Sequence, residues 1–255
     1  MNQQQKYILN LQRKPKERKR EKVFIIEGRK LFEEVSREQL VMTLVSESFL
    51  HTKGAAGLLS GVSYDVVPDG IFETLSDTKT PQGILAVVRQ AEYQLEDLFG
   101  DGKQAPFLLV LEHVQDPGNL GTMMRAAEAA GVTGVLMSGD CVDIYNPKTV
   151  RATMGALFRV PFVIASDFSQ ALDELKKNGI HTYAAHLEGS SSYDTCSYRE
   201  GTAFLIGNEA NGLTDLTTQA ADHRIRIPMA GQVESLNAAM AATVLMFEAA
   251  RQRRI

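Results

Sequence analysis

Three segments of this 255-residue chain carry polar side chains where a plain loop has no use for them. In HVQDPGNLGTMMRAAEAAG, Asn119 and Arg125 stand six residues apart behind a turn shaped by Pro117, Gly118 and Gly121. Asn119 there can cap a helix, since asparagine is a favoured N-cap. Arg125, a permanent planar cation, can equally be a solvated helix residue or a clamp on a phosphate or oxyanion. In FLIGNEANGL an apolar stretch runs into Gly207-Asn208-Glu209-Ala210-Asn211-Gly212. Glycine and asparagine tolerate positive φ, so the backbone can fold back and turn its amides and carbonyls toward a ligand. Glu209 is a carboxylate that such a turn does not need, unless it simply faces solvent. In RIPMAGQVESLNAAMAATVLMFEAARQR a strand ends at Pro228, and a glycine-containing loop delivers Ser235 and Asn237 to the mouth of a long Ala-rich helix. Ser235 is the expected N-cap of that helix.

Other chemistries find no support. There is no GxGxxG, no GxxxxGK[ST], no HExxH and no EF-hand loop. His51, His113, His181, His186 and His223 show no ligand spacing, so no metal is assigned. Cys141 and Cys196 lie far apart without a CxxC partner, which gives neither a disulfide framework nor a zinc site.

The elements that must position these loops alternate along the chain. After Pro106 the apolar pattern predicts strands at 107–113, 132–137, 160–164, 181–185, 203–206 and 224–227. Between them it predicts helices at 120–130, 168–178 and 235–254, and one from the Asn146 cap, with Pro147 at its first position, to about Phe158. Such alternation means a parallel sheet with helices on both faces, with ligands outside the carboxyl ends of the strands. The first hundred residues predict a smaller α/β domain, with strands at 23–27, 41–45, 64–67 and 84–89 and a helix in GRKLFEEVSREQL. Polar residues 91–105 read as a linker, dividing the chain into domains 1–100 and 106–255.

The formal net charge is −4, yet residues 13–22 hold seven basic residues against two acidic ones. A local block of this kind suits a phosphate backbone, where bound cations release counterions. With 44% hydrophobic and 23% charged residues, wholesale disorder is excluded. No apolar run approaches the roughly 18 residues of a membrane helix, and the polar start lacks the apolar core of a secretory signal. The chain reads as cytoplasmic, with no membrane partner.

In this order, DPGNLGTMMRAAEAAG, IGNEANGL and IPMAGQVESLNAAMAA closely resemble the three motifs of the SpoU, or TrmH-like, branch of the SPOUT RNA methyltransferases. The likeness spans residues 106–255, including YNPKTVRATMGALFRVPF between the first two motifs. VFIIEGRKLFEEV and LSDTKTPQGILAVV resemble the family's substrate-binding extension, which is similar to ribosomal protein L30e. The resemblance implies a C-terminal segment threaded into a deep trefoil knot, S-adenosylmethionine bound among the knot loops, and a homodimer with the site near its interface. It implies RNA 2′-O-ribose methylation, on ribosomal RNA first and tRNA as the nearest alternative. The contrasting reading is a non-catalytic RNA-binding or ribosome-assembly protein that keeps the fold as a scaffold.

By position, Gly207, Ile227 and Leu236 match residues that hold the cofactor in the family, with Leu205, Glu209 and Met229 beside them. Asn119, Arg125, Glu209, Ser235 and Asn237 match the polar set associated with the acceptor ribose and catalysis. An arginine is always protonated in proteins, so Arg125 is expected to stabilise an alkoxide and the adjacent phosphate rather than act as a base. Asn119, Ser235 and Asn237 would then orient the ribose, and Glu209 would anchor either the loop or Arg125. The second motif usually reads GNEGxGL, and Ala210 stands where the family commonly has glycine, a strained choice if that position needs positive φ.

Overall fold

Two apolar runs form strands with every residue buried, Phe107–Leu111 and Thr202–Ile206, and the larger sheet is built outward from this pair. The computed structural model describes residues 2–187 and 191–254. In chain order the helices are α1 (Gln3–Arg13), α2 (Pro15–Glu21), α3 (Arg29–Glu34), α4 (Ala55–Leu58), α5 (Asp69–Leu75), α6 (Pro117–Ala130), α7 (Pro147–Thr153), α8 (Phe168–Lys177), α9 (Asp215–Ala220) and α10 (Ala238–Arg253). The strands are β1 (Val23–Glu27), β2 (Leu40–Ser46), β3 (Asp65–Val67), β4 (Ile84–Arg89), β5 (Phe107–Leu111), β6 (Gly134–Met137), β7 (Phe162–Ile164), β8 (His181–Ala185), β9 (Ser191–Ser192), β10 (Thr202–Ile206) and β11 (His223–Arg226).

The packing makes two units, and the division is not a single cut in the chain. One unit takes residues up to Glu92 together with Asp143–Phe158, and the other takes Tyr93–Val142 and Arg159 onward. In the first unit the sheet order is β1-β4-β2-β3, with β4 antiparallel to β1 and β2, and β3 parallel to β2. Ile8 and Leu11 of α1 are fully buried in the cluster beneath it, with Phe72 and Leu85.

The inserted segment 143–158 is held in this unit by α2. Arg18, only 2% exposed, donates from Nε to Asp143 at 2.9 Å and from its terminal nitrogens to Asp143 and to the carbonyls of Leu11 and Gln12. Arg151 pairs with Asp77 at 2.8 Å, and the Phe24 ring packs on Tyr145 with centroids 4.6 Å apart. The basic block at 13–22 is therefore not uniformly solvated. Arg18 is a buried tie, and Arg20 and Lys22 pair with Glu17, Glu21 and Glu92.

In the second unit seven parallel strands run in the order β7-β6-β5-β10-β8-β11-β9. This is the predicted parallel sheet, with the smaller α/β unit before it. Three local expectations fail for physical reasons. The stretch read as a linker contains a 3-10 turn at Leu95–Phe99 whose Leu98 is completely buried in this unit's core. The helix expected to reach Phe158 stops at Thr153, because Met154 and Gly155 take left-handed φ values of 51° and 94°. The last helix begins at Ala238 rather than Ser235, with Asn237 as its cap. Its far end is fastened by Arg253, which donates to the carbonyls of Ala105, Pro106, Tyr198 and Glu200 and lies 4.7 Å from the Phe107 ring centroid.

Removing one partner of a buried ion pair strands the other charge. Asp143→Ala is expected to lower the unfolding free energy by about 2–3 kcal/mol, read by urea denaturation, and a change below about 0.5 kcal/mol would show that Arg18 is held by its carbonyl partners alone.

Candidate active site

Strand β5 stops at Leu111, and the chain turns sharply at His113, whose φ is 56°. Two acceptors hold that turn in place. The buried Glu112 carboxylate receives the Thr214 amide and hydroxyl, both at 2.8 Å, and the His113 carbonyl receives the Asn208 side-chain amide at 2.8 Å. Helix α6 then starts with Asp116 as N-cap, accepting from the Asn119 amide at 2.8 Å, and with Pro117 in its first turn. Asn119 is therefore not the cap. It sits at the third helical position with its side chain free for other work.

That work is a relay joining the three polar segments. Asn119 donates from Nδ2 to Glu209 Oε1 at 3.1 Å and accepts at Oδ1 from Asn237 Nδ2 at 3.1 Å. Its direction follows from chemistry. Asn237 Oδ1 already accepts the Ala239 amide at 2.9 Å and the Met240 amide at 3.3 Å as the cap of α10, which leaves its Nδ2 to donate. A carboxylate only accepts, so Asn119 must present its nitrogen to Glu209 and its oxygen to Asn237. Glu209 also receives the backbone amides of Gln115 at 3.2 Å and Asp116 at 3.1 Å. Partial burial pushes its carboxyl up, but the hydrogen bonds from Asn119 and the backbone outweigh that and hold it below the ordinary value. Of the two roles foreseen for Glu209, it anchors the loop and has no bond to Arg125.

The segment 207–212 folds back on itself. Asn208 and Gly212 exchange both backbone hydrogen bonds at 2.9 Å, and Asn208 Oδ1 accepts the amides of Ala210 and Asn211. A Cβ on Gly207 would lie 2.0 Å from the carbonyl carbon of Gly212, so only glycine fits. The left-handed φ of this loop, 70°, is at Gly212. Ala210 is not among the residues with positive φ, so the departure from GNEGxGL costs nothing in backbone strain.

This loop, with the strand end Ile225–Met229 and the approach to α10, encloses a cavity of about 730 Å³. Gly207, Glu209, Ile227, Met229 and Leu236, expected at the cofactor, line it, and so does Ser235, expected at the acceptor ribose. Leu205 does not. It is 1% exposed and packs in the sheet core with Val110, one strand position below the pocket. Asn119 and Asn237 flank the cavity through the relay without lining it. Arg125 is exposed, and six helical residues put it about 120° around α6 and about 9 Å along it from Asn119. Within one copy the relay does not include it. Arg226 and His186 also line the cavity and were not foreseen, since nothing in HRIRIP distinguishes a pocket-facing arginine from a solvated one.

The model of the SpoU rRNA Methylase family matches residues 106–247, and that of an MRM3-like substrate binding domain matches residues 2–86. The chain is 34% identical over 234 residues to the 23S rRNA (guanosine(2553)-2′-O)-methyltransferase RlmP of Bacillus subtilis, covering 91% of this chain and 90% of that protein. It is 34% identical over 194 residues to a 23S rRNA (uridine(2479)-2′-O)-methyltransferase of Streptomyces viridochromogenes, covering 74% of this chain and 67% of the relative. The crystal structure of the SpoU methyltransferase AviRb from Streptomyces viridochromogenes, in complex with AdoMet, superposes with a TM-score of 0.90 at 27% identity, over 100% of this chain and 99% of that one.

Glu209→Ala leaves the amides of Gln115 and Asp116 without an acceptor, and their hydrogen exchange is expected to quicken about tenfold while that of β5 stays unchanged. A carboxyl depressed by folding stabilises when ionised, so in the unsubstituted chain this protection should be present above the ordinary value of 4.5 and lost as pH falls through the lower folded value. Loss of protection already at pH 6 would contradict the assignment.

Proposed function

The chain belongs to the SpoU rRNA methylase family, and on that footing we propose that it transfers the methyl group of S-adenosylmethionine to a ribose 2′-hydroxyl of ribosomal RNA. The observation that carries this reading is the Asn237–Asn119–Glu209 relay, which ties three polar segments, distant in the chain, to the rim of one cavity. A plain RNA-binding scaffold has no use for that arrangement. The RlmP relative, named for 23S rRNA, aligns with 91% of this chain and so with both matched domains, which favours rRNA over tRNA. One relative is named for a guanosine and another for a uridine, so the base is not given by the family.

The residues fit the cofactor. A volume of about 730 Å³ lies within the range of small-molecule pockets. Ile227, Leu236 and Leu245 offer apolar walls for a purine, the folded-back loop at Gly207 offers backbone polar groups, and Arg226 offers a cation for a carboxylate. When bound, S-adenosylmethionine supplies an electrophilic sulfonium methyl group. The chain must then make a neutral hydroxyl nucleophilic, by holding it in line and stabilising the charge that develops on its oxygen as its proton passes to solvent and the bond from sulfur to the methyl group gives way to one from oxygen. Asn119, Asn237 and Ser235 orient the ribose, and Asn119 is itself fixed by Glu209. Arg125, with no hydrogen bond or ion pair to other described residues, remains available to the alkoxide and its neighbouring phosphate.

The proposal includes a homodimer, a deep trefoil knot in the C-terminal segment and a cytoplasmic location. Met240 and Phe247, seven residues apart on α10, are 57% and 43% exposed, an apolar stripe suited to a second copy. Arg125 points away from the relay of its own copy, which fits a site completed across such an interface. Among the described residues no helix is long and apolar enough to cross a membrane.

Arg125→Ala is expected to lower methyl transfer by about a hundredfold or more, while cofactor affinity by calorimetry stays within about threefold. The assay is labelled S-adenosylmethionine with unmodified ribosomal RNA, followed by digestion and nucleoside mass analysis. Near-normal turnover in Arg125→Ala would overturn the catalytic assignment, and absence of any 2′-O-methylnucleoside with the unsubstituted protein would overturn the function.

A further inference from the structure

Strand β5 has two neighbours in the sheet, β10 on one side and β6 on the other, so the turn at 112–116 lies between the loops that leave both. The loop leaving β10 holds that turn through Asn208 and Glu209. The loop leaving β6, residues 138–142, holds it as closely from the other side and belongs to none of the three polar segments. The Ser138 amide donates to the Leu111 carbonyl at 2.9 Å and the Val142 amide to the Val114 carbonyl at 2.8 Å. Gln115 Nε2 donates to the Asp140 carbonyl at 2.7 Å.

At the centre of this grip is a closed cycle of hydrogen bonds around a strained residue. His113 has a φ of 56°, a left-handed conformation that its Cβ disfavours. Its amide donates to Ser138 Oγ at 3.0 Å, the Ser138 hydroxyl donates to Asp140 Oδ1 at 2.6 Å, and Asp140 Oδ2 pairs with His113 Nδ1. A carboxylate only accepts, so Nδ1 carries the proton of that last bond. Backbone and ring of one residue are thus fixed through the same two partners, and Ser138, 5% exposed, is itself buried. The consequence lies two residues further on. The amides of Gln115 and Asp116 both donate to Glu209, which in turn accepts from Asn119. A swing of the turn about His113 would move those amides, and with them the carboxylate that orients Asn119. None of His113, Ser138 and Asp140 lines the cavity, so this cycle acts on the relay and not on the pocket wall.

We propose that His113 and Asp140, joined through Ser138, are positioning residues for methyl transfer: they set the turn that presents two amides to Glu209, and so set Asn119 toward the acceptor ribose. This rests on the catalytic reading of the preceding subsection and adds a fourth loop to its machinery. The side chains of His113 and Asp140 are 42% and 52% exposed, so substitutions there leave the core intact. Glycine and asparagine both tolerate the left-handed φ, but only asparagine offers a side-chain N–H, as many bonds from Cα as the histidine Nδ1. His113→Gly and His113→Asn therefore differ in the bond to Asp140 and not in strain. On unmodified ribosomal RNA, His113→Gly and Asp140→Ala are each expected to lower kcat about tenfold, with KM for RNA and calorimetric affinity for S-adenosylmethionine within about threefold. Hydrogen exchange at the Gln115 and Asp116 amides should quicken about fivefold in both, while that of β5 stays unchanged. The double variant should be within about twofold of either single one, and His113→Asn should recover kcat to within about threefold of the unsubstituted rate. Losses that multiply in the double variant, or a His113→Asn as slow as His113→Gly, would overturn the pairing as the cause. Unchanged exchange and kcat in both single variants, with an unsubstituted protein that methylates the RNA, would overturn the inference and leave the function standing. Failure of the unsubstituted protein to methylate any RNA would overturn the functional reading and the role in methyl transfer with it.

Discussion

Everything at the site depends on where the hydrogen bonds of one carboxylate go. Glu209 takes two backbone amides from the turn before α6 and the side-chain amide of Asn119, and so welds a loop leaving β10 to a loop leaving β5. Because a carboxylate can only accept, it dictates the orientation of Asn119. Because Asn237 is committed as a helix cap, it can only donate to the other end of Asn119. The relay thus has one possible polarity, and its members are pre-set before any ligand arrives. That is what electrostatic preorganisation means in structural terms: no reorientation is left for the moment of reaction.

The division of labour between cavity and relay follows from the reaction proposed. The cofactor brings its own electrophile, so the pocket around Gly207 and Ile227 has to hold and shape rather than react. The difficult partner is the neutral hydroxyl. In the proposed reaction a permanently charged Arg125 would offer charge stabilisation, and the amides of Asn119 and Asn237 would offer geometry. Neither task, as proposed, calls for a histidine or a metal ligand.

In the N-terminal unit, buried charges serve as internal ties while unpaired ones are left outside. Arg18 pins the inserted segment through Asp143, and Glu27 pins the 76–78 turn to the end of β1. Each is affordable only because its hydrogen-bonding capacity is filled. The consequence is that counting Lys and Arg along the chain overstates the basic surface, since some of those cations are structural.

Much was legible from the sequence by itself. The apolar runs at 107–113 and 203–206 read as strands, and their alternation with helical patterns predicted the parallel sheet that the structure shows. The placement of Asn119, Glu209 and Asn237 marked strand-end loops as candidate sites, and of the residues the family motifs named for the cofactor, Gly207, Glu209, Ile227, Met229 and Leu236 line the cavity while Leu205 does not. What residue order could not give were decisions made by contacts between remote segments. Asp116 rather than Asn119 caps α6, and Asn237 rather than Ser235 caps α10, because either neighbour satisfies the local preference and only the relay selects between them. Leu205 lies one position below the pocket because the pleat of β10 turns it into the core. Residues 143–158 join the N-terminal unit because a buried Arg18 more than a hundred residues away demands Asp143. Local propensity and periodicity are properties of neighbours in the chain, so sequence determined the elements and the kinds of chemistry available. Partner choice among buried polar groups is a property of neighbours in space, and only the tertiary structure could decide it.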